Sequence, residues 1–286
     1  MVRKGIILTK MEQIKNKLKG YGLTDSTIKT YISILKQFFN HSKKTNNFTQ
    51  EEISNYLDYL MVVKDYCGRS RNLAMKIIKF YCREFLNFEP ELKKAKEAKN
   101  IQPVCWDDDF KQIYEVTTNP KQRICLLLMR YSGLRKGEVI KVRRHDILSD
   151  GRLFVKGGKG QKDRYTITPP QIKDQLNSYM NLLPAGNPYL FHSQDGKGHY
   201  SSDTPNAILK NAFNKLGWHK SRRYGSHALR RFWVIFTVET LKLDFDEVSK
   251  MAGHSIMRTT QIYTQSRKLK LNEAIARYKE VSCVIH

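Results

Sequence analysis

Two histidines, an arginine and a tyrosine fall within one short stretch toward the C-terminus: His227, Arg230, His254 and Tyr263. His227 and Arg230 are one helical turn apart, and apolar residues at Leu229, Phe232, Val234 and Phe236 predict a helix over them. Both side chains then leave the same helix face. Gly253-His254-Ser255 breaks the chain, and Tyr263 follows on the next short element. The chemistry open to such a set is transfer of a phosphate, held by the arginine and histidines while the tyrosine hydroxyl attacks it. A phenol with a pKa of about 10 is a poor nucleophile, so it needs a nearby proton acceptor and cationic surroundings.

The elements that must position these groups begin near Val104. Asp107 to Asp109 supply negative charge for a helix N-terminus. Arg123 to Tyr131 is apolar nearly all round, which predicts a buried central helix, and Ser132 to Glu138 reads as a turn into another helix. Leu153 to Val155 and Tyr165 to Ile167 read as short strands joined by the loop Lys156 to Asp163, with helices expected over Pro170 to Leu183 and Pro205 to Leu216. The fold class expected is mainly α with a small β-sheet.

Residues 1–89 read as a separate helical domain. Ser26 to Lys43 carries Ile28, Tyr31, Leu35, Phe38 and Phe39 at helical spacing. Thr49 to Glu52 is a capping-box signature leading into Ile53, Tyr56, Leu57 and Leu60. Ser70 is expected to cap a further helix with Leu73, Ile77, Phe80, Tyr81 and Phe85 inward. Its other face shows Arg69, Arg71, Lys76, Lys79 and Arg83, a group expected to meet phosphates. Residues 90–103, with Lys93, Lys94, Lys96 and Lys99, are expected to form a basic linker, and 104–286 a second domain.

The chain of 286 residues carries 51 Lys and Arg against 27 Asp and Glu, a net charge of +24. The surplus is +10 over the first hundred residues and +14 over the rest, so both halves suit a polyanion, most often nucleic acid. Five scattered cysteines argue for reduced thiols and against a disulfide scaffold or zinc site. The longest apolar run, Ile124 to Met129, is too short to cross a bilayer, and the apolar stretch Gly5 to Leu8 is too brief for a signal peptide. A soluble, cytoplasmic, nucleoid-associated chain is expected. No metal-ligand spacing and no phosphate-binding glycine loop of the nucleotide-binding type occurs, so no cofactor is expected.

Four motifs in order, GLRxxE (Gly133 to Glu138), GKGxKxR (Gly158 to Arg164), HxLR (His227 to Arg230) and GHS…TTQIYT (Gly253 to Thr264), resemble those of the tyrosine recombinases, the phage integrases and Xer recombinases. The resemblance implies a helical N-terminal core-binding domain and a C-terminal catalytic domain around duplex DNA. It assigns Arg135 and Arg230 to the scissile phosphate, Lys159 to protonation of the departing 5′ oxygen, His227 to the tyrosine proton or the phosphate, and His254 to a non-bridging oxygen. Tyr263 would be the nucleophile and Glu138 would orient Arg135 or a neighbour. Lys156 and Lys162 also lie within reach of Lys159's role; Lys162 and Arg164 are otherwise expected to contact DNA. Arg231 and Gly137 depart from the family's usual residues. The resemblance further implies a homo-tetramer on two DNA sites, with the tail from Arg267 to Val281 docking on a neighbour. Three other readings are a type IB topoisomerase, a non-catalytic DNA-binding regulator and a structural nucleoid protein.

Overall fold

A computed structural model of the chain describes residues 2–97, 103–157, 163–184 and 186–253; these are mostly helical, with a two-stranded antiparallel sheet. They divide into two units, one reaching residue 101 and the other starting at 102.

In the first unit α1 (Val2–Gly20) buries Met11, Ile14 and Leu18, three apolar residues over about five turns, a pattern too sparse to stand out in the sequence. Helix α2 (Asp25–Ser42) starts at Thr24, whose hydroxyl accepts from the Thr27 N–H, and it buries Ile28, Leu35, Phe38 and Phe39. Helix α3 (Gln50–Val62) carries the full capping box: Thr49 Oγ1 accepts from Glu52 N at 3.2 Å and Glu52 Oε2 accepts from Thr49 N at 2.8 Å.

Three expectations fail on α4 (Gly68–Leu86). Its N-cap is Cys67, with Ser70 inside the first turn. Its buried stripe includes Arg71, Asn72 and Met75, while Leu73 is 44% exposed. The helix is covered from a second side, because residues 91–97 run back along it. Asn72 donates to Ala95 O at 2.9 Å and accepts from Ala95 N at 2.8 Å, and Arg71 donates to Lys93 O. The approach is so close that a Cβ on Gly68 would lie 2.2 Å from Lys96 O. Arg71, expected among the DNA-contacting residues, is therefore a buried tie between α4 and this segment, 6% exposed.

In the second unit α5 (Asp107–Val116) has three acids at its positive end, and α6 (Pro120–Tyr131) starts on an Asn119 cap with Pro120 in its first turn. Every residue from Ile124 to Tyr131 is buried, including Arg130. That guanidinium pairs with Asp107, donates to Cys105 O and lies 3.4 Å from the Phe232 ring centre, so its charge is neutralised and its faces are stacked. Next come α7 (Lys136–Val139) and strands β1 (Arg152–Val155) and β2 (Arg164–Ile167), paired from Arg152↔Ile167 to Val155↔Arg164. Helices α8 (Lys173–Asn181), α9 (Thr204–Lys215), α10 (His227–Glu239) and α11 (Phe245–Ala252) complete the unit.

Helix α10 packs on α6 and α11, and α11 on β2. A small core of Ile167, Trp233, Leu241, Leu243, Val248, Met251 and Ala252 fixes these last contacts, so the start of β2 and the end of α11 meet beside α10. Gly133, in the turn between α6 and α7, has φ +64°, and a Cβ there would come within 2.3 Å of the buried Trp233 ring. Gly133→Ala should cost about 1–3 kcal/mol, from the forced shift of a packed ring. Urea unfolding of the full chain measures it; an unchanged midpoint would show that the turn and the ring are free to separate.

Candidate active site

The turn after α6 delivers Arg135 to the N-cap position of α7 with Glu138 one turn on. Glu138 reaches back: Oε2 accepts from Arg135 N at 2.8 Å and Oε1 from Arg135 Nη1 at 2.7 Å. From β2, Arg164 donates Nη1 to Oε1 at 2.9 Å and Nη2 to Oε2 at 2.8 Å. From α10, Arg230 brings Nη1 to 3.8 Å from Oε2. One buried carboxylate therefore gathers three guanidinium groups from three elements, leaving a surplus of positive charge.

The same three arginines hold the end of α11. Arg164 Nε donates to Met251 O at 2.7 Å, Arg230 Nη2 to Ala252 O, and Arg135 Nη2 to Gly253 O at 2.6 Å. Carbonyls in the last turn of a helix lack intrahelical partners and carry the negative end of its dipole, so they are natural acceptors for cations. Gly253, at φ +65°, ends the helix in the left-handed conformation. Arg230 Nη1 also donates to Gly133 O, joining the α6–α7 turn to the cluster.

Burial disfavours the ionised form of Glu138, yet hydrogen bonds and charge from Arg164, and then the bonds from Arg135, hold its pKa down to about 2. Arg230 moves the other way: burial, then Arg135, lower its pKa to about 9, with Glu138 opposing, so it stays charged at neutral pH. His227 opens α10 at the exposed edge of the cluster. Lost hydration, followed by the charges of Arg230, Arg231, Arg135 and Lys136, lowers its pKa below 6.5 and favours a neutral imidazole able to accept a proton. The chain reaches His227 through a fixed turn, since Asn206 of α9 accepts from Ser226 N at 3.0 Å.

Of the expected site residues, Arg135, Glu138, His227 and Arg230 come together. Arg164, expected as a DNA contact, instead grips Glu138 and α11 with a side chain only 9% exposed. Its strand carried the signal: residues 164 and 166 share the inward face, where Thr166 is buried and donates to Ser132 O at 2.8 Å, while Tyr165 points out. Lys159, Lys162, His254, Tyr263 and the 267–281 tail lie outside the described residues. The hairpin loop is closed at its described base by Gly157 N donating to Asp163 Oδ1 at 2.7 Å. Beside Glu138 opens a cleft of about 510 Å³ lined by Lys141, Arg143, His145, Lys156, Tyr165 and Tyr189.

In the first unit Lys76 is exposed, Arg69 lies 3.5 Å from Glu97, Lys79 3.8 Å from Glu89, and Arg83 3.0 Å from Glu84. Arg69–Glu97 is exposed on both sides, and exposed pairs are weak. Among the described residues no three His, Cys, Asp or Glu side chains cluster so as to hold a metal ion, and no helix is long and apolar enough to cross a membrane.

Comparison with known proteins places these features. The model of the phage integrase family matches residues 106–270, and that of the phage integrase N-terminal SAM-like domain matches residues 11–90. The tyrosine recombinase XerA of Pyrococcus furiosus is 30% identical over 274 residues, covering 93% of each chain. That of Pyrococcus horikoshii is 28% identical over 96% of this chain and 95% of its own. Among solved structures, a lambda integrase (75-356) dimer bound to a COC′ core site superposes with a TM-score of 0.69 at 16% identity, covering 90% of this chain and 98% of that one. The XerH site-specific recombinase bound to difH substrate gives 0.61 at 19% identity, covering 94% and 83%.

The depressed pKa of Glu138 makes its contribution to stability pH-dependent. It is fully present above the ordinary carboxylate pKa of 4.5 and is lost as pH falls through about 2. Glu138→Gln should therefore cost about 3 kcal/mol at pH 7, with the gap to wild type narrowing between pH 4.5 and 2. Urea midpoints measured across that range check this; a gap that does not change with pH would show that the ionised carboxylate is not the source.

Proposed function

The chain belongs to the phage integrase family, and from that premise we propose that it is a site-specific DNA recombinase that cuts and rejoins duplex DNA through a 3′-phosphotyrosine bond. The observation that carries the reading is the convergence of Arg135 and Arg230 on one carboxylate and on adjacent carbonyls, beside a neutral-leaning imidazole. A guanidinium stays charged and offers a planar fork that matches phosphate oxygens. Two of them, pre-set by Glu138, stabilise charge building up on a five-coordinate phosphorus without reorganising during the reaction.

In this reading Tyr263 Oη attacks the phosphorus as the P–O5′ bond breaks. The tyrosine proton passes to His227, and Lys159 supplies a proton to the departing 5′ oxygen. His254 donates to a non-bridging oxygen. The free 5′ hydroxyl of the partner duplex then attacks the phosphotyrosine, and the bond energy is conserved throughout. Exposed basic residues of α4 (Arg69, Lys76, Arg83), the half-buried Lys79 and the basic cleft beside Glu138 would track the DNA backbone, as would Lys162. Assembly on two sites as a homo-tetramer, with the 267–281 tail seated on a neighbouring subunit, completes the proposal; a lambda integrase tetramer bound to a Holliday junction is among the structural neighbours.

Nicked duplex fragments that lose the 5′ segment on cleavage trap the covalent intermediate, and sequencing the junction identifies the site. The wild-type chain should form the adduct and Tyr263→Phe should not, while Arg135→Ala and Arg230→Ala should each slow it by about a hundredfold or more. Because the His227 pKa lies below 6.5, the rate should be flat near pH 7 and fall only as pH drops below that value. An adduct that survives Tyr263→Phe would move the nucleophile elsewhere. Deletion of residues 267–281 should abolish pairing of two sites while sparing binding to one; full recombination by the shortened chain would remove the tail from the assembly.

A further inference from the structure

All three nitrogens of Arg164 are engaged within the protein. Its two terminal nitrogens bridge the two oxygens of Glu138, and Nε donates to the carbonyl of Met251. A planar fork held at three points, with its side chain 9% exposed, has both its depth and its tilt fixed. Its partners are also those of the neighbouring arginines: Glu138 is shared with Arg135 and faces Arg230, and the next two carbonyls of the chain take Arg230 and Arg135. Gly253 leaves room for it, since a Cβ there would press within 3.1–3.2 Å of Arg164 Cδ, Nε and Cζ.

We infer that Arg164 is a positioning residue for the recombination reaction rather than a DNA contact: it locks Glu138 to the last turn of α11 and so makes one seat for Arg135 and Arg230. The inference rests on the recombinase reading. It differs from a general packing role because the effect should appear in strand cleavage and not in DNA affinity.

The test uses the full chain and the nicked duplex on which the wild type traps its adduct. Arg164→Ala should cleave about a hundredfold slower at saturating duplex, the scale of loss when a reacting group is displaced by about an ångström. Its affinity and salt dependence should match the wild type, whereas loss of a phosphate contact would flatten the salt slope by about 0.9. Arg164→Lys keeps the charge but cannot span two oxygens and a carbonyl, so it should recover less than a tenth of the lost rate. In combination with Glu138→Gln, Arg164→Ala should slow cleavage little beyond the slower single variant, because both act on one contact. If Arg164→Ala fails to unfold cooperatively, the Lys variant decides alone. A flattened salt slope with the saturated rate intact, restoration of the rate by Lys, or fully multiplicative effects would each overturn the inference. A wild-type chain that forms no adduct on any duplex is a different result: it defeats the recombinase reading and takes this inference with it.

Discussion

The second unit is built around a single carboxylate. Glu138 is ionised in a buried position because Arg164 and Arg135 bond to it directly and Arg230 stands 3.8 Å away. Two like charges about 4 Å apart repel by about 4 kcal/mol at an effective dielectric of about 20, and Arg135 and Arg164 do oppose the charge on Arg230. An anion among them offsets much of that cost and sets their directions. What remains is a positive surplus fixed in place before any ligand arrives, which is what stabilisation of a charged transition state requires.

The second constraint is the end of α11. Its last carbonyls need donors, and the three arginines provide them one each, so the helix terminus and the cationic cluster are solved by the same bonds. Those bonds also tie together parts of the chain that are remote in sequence: the α6–α7 turn, the start of β2, the first turn of α10 and the exit from α11. The small apolar core under Trp233 supplies the rigid floor, and Gly133 is what lets the turn lie on it. His254 directly follows Gly253 in the sequence.

Much of this was legible in the residues. The capping box at Thr49, the buried helix ending at Tyr131, the two strands and the helix opened by His227 all have local causes, and local causes are written in local sequence. The motif order carried Arg135, Glu138 and Arg230. What escaped was set by packing between distant segments. Arg71 looked like one more charge on a basic face, and it is the return of residues 91–97 along α4 that covers it and accepts its hydrogen bond. Arg164 sat among glycines and lysines of a loop suited to DNA, and its partner Glu138 lies too far along the chain for any periodicity to join them. Helix α1 buries three apolar residues over about five turns, too few to be seen without the helices it packs on.

The most direct test is a crystal structure of the chain trapped on its nicked duplex. The expected result is a phosphorus bonded to Tyr263 Oη, with the guanidinium groups of Arg135 and Arg230 on its non-bridging oxygens and Glu138 still bridged by Arg164 behind them. A phosphorus bonded to another side chain, or either arginine turned away from it, would contradict the assignment.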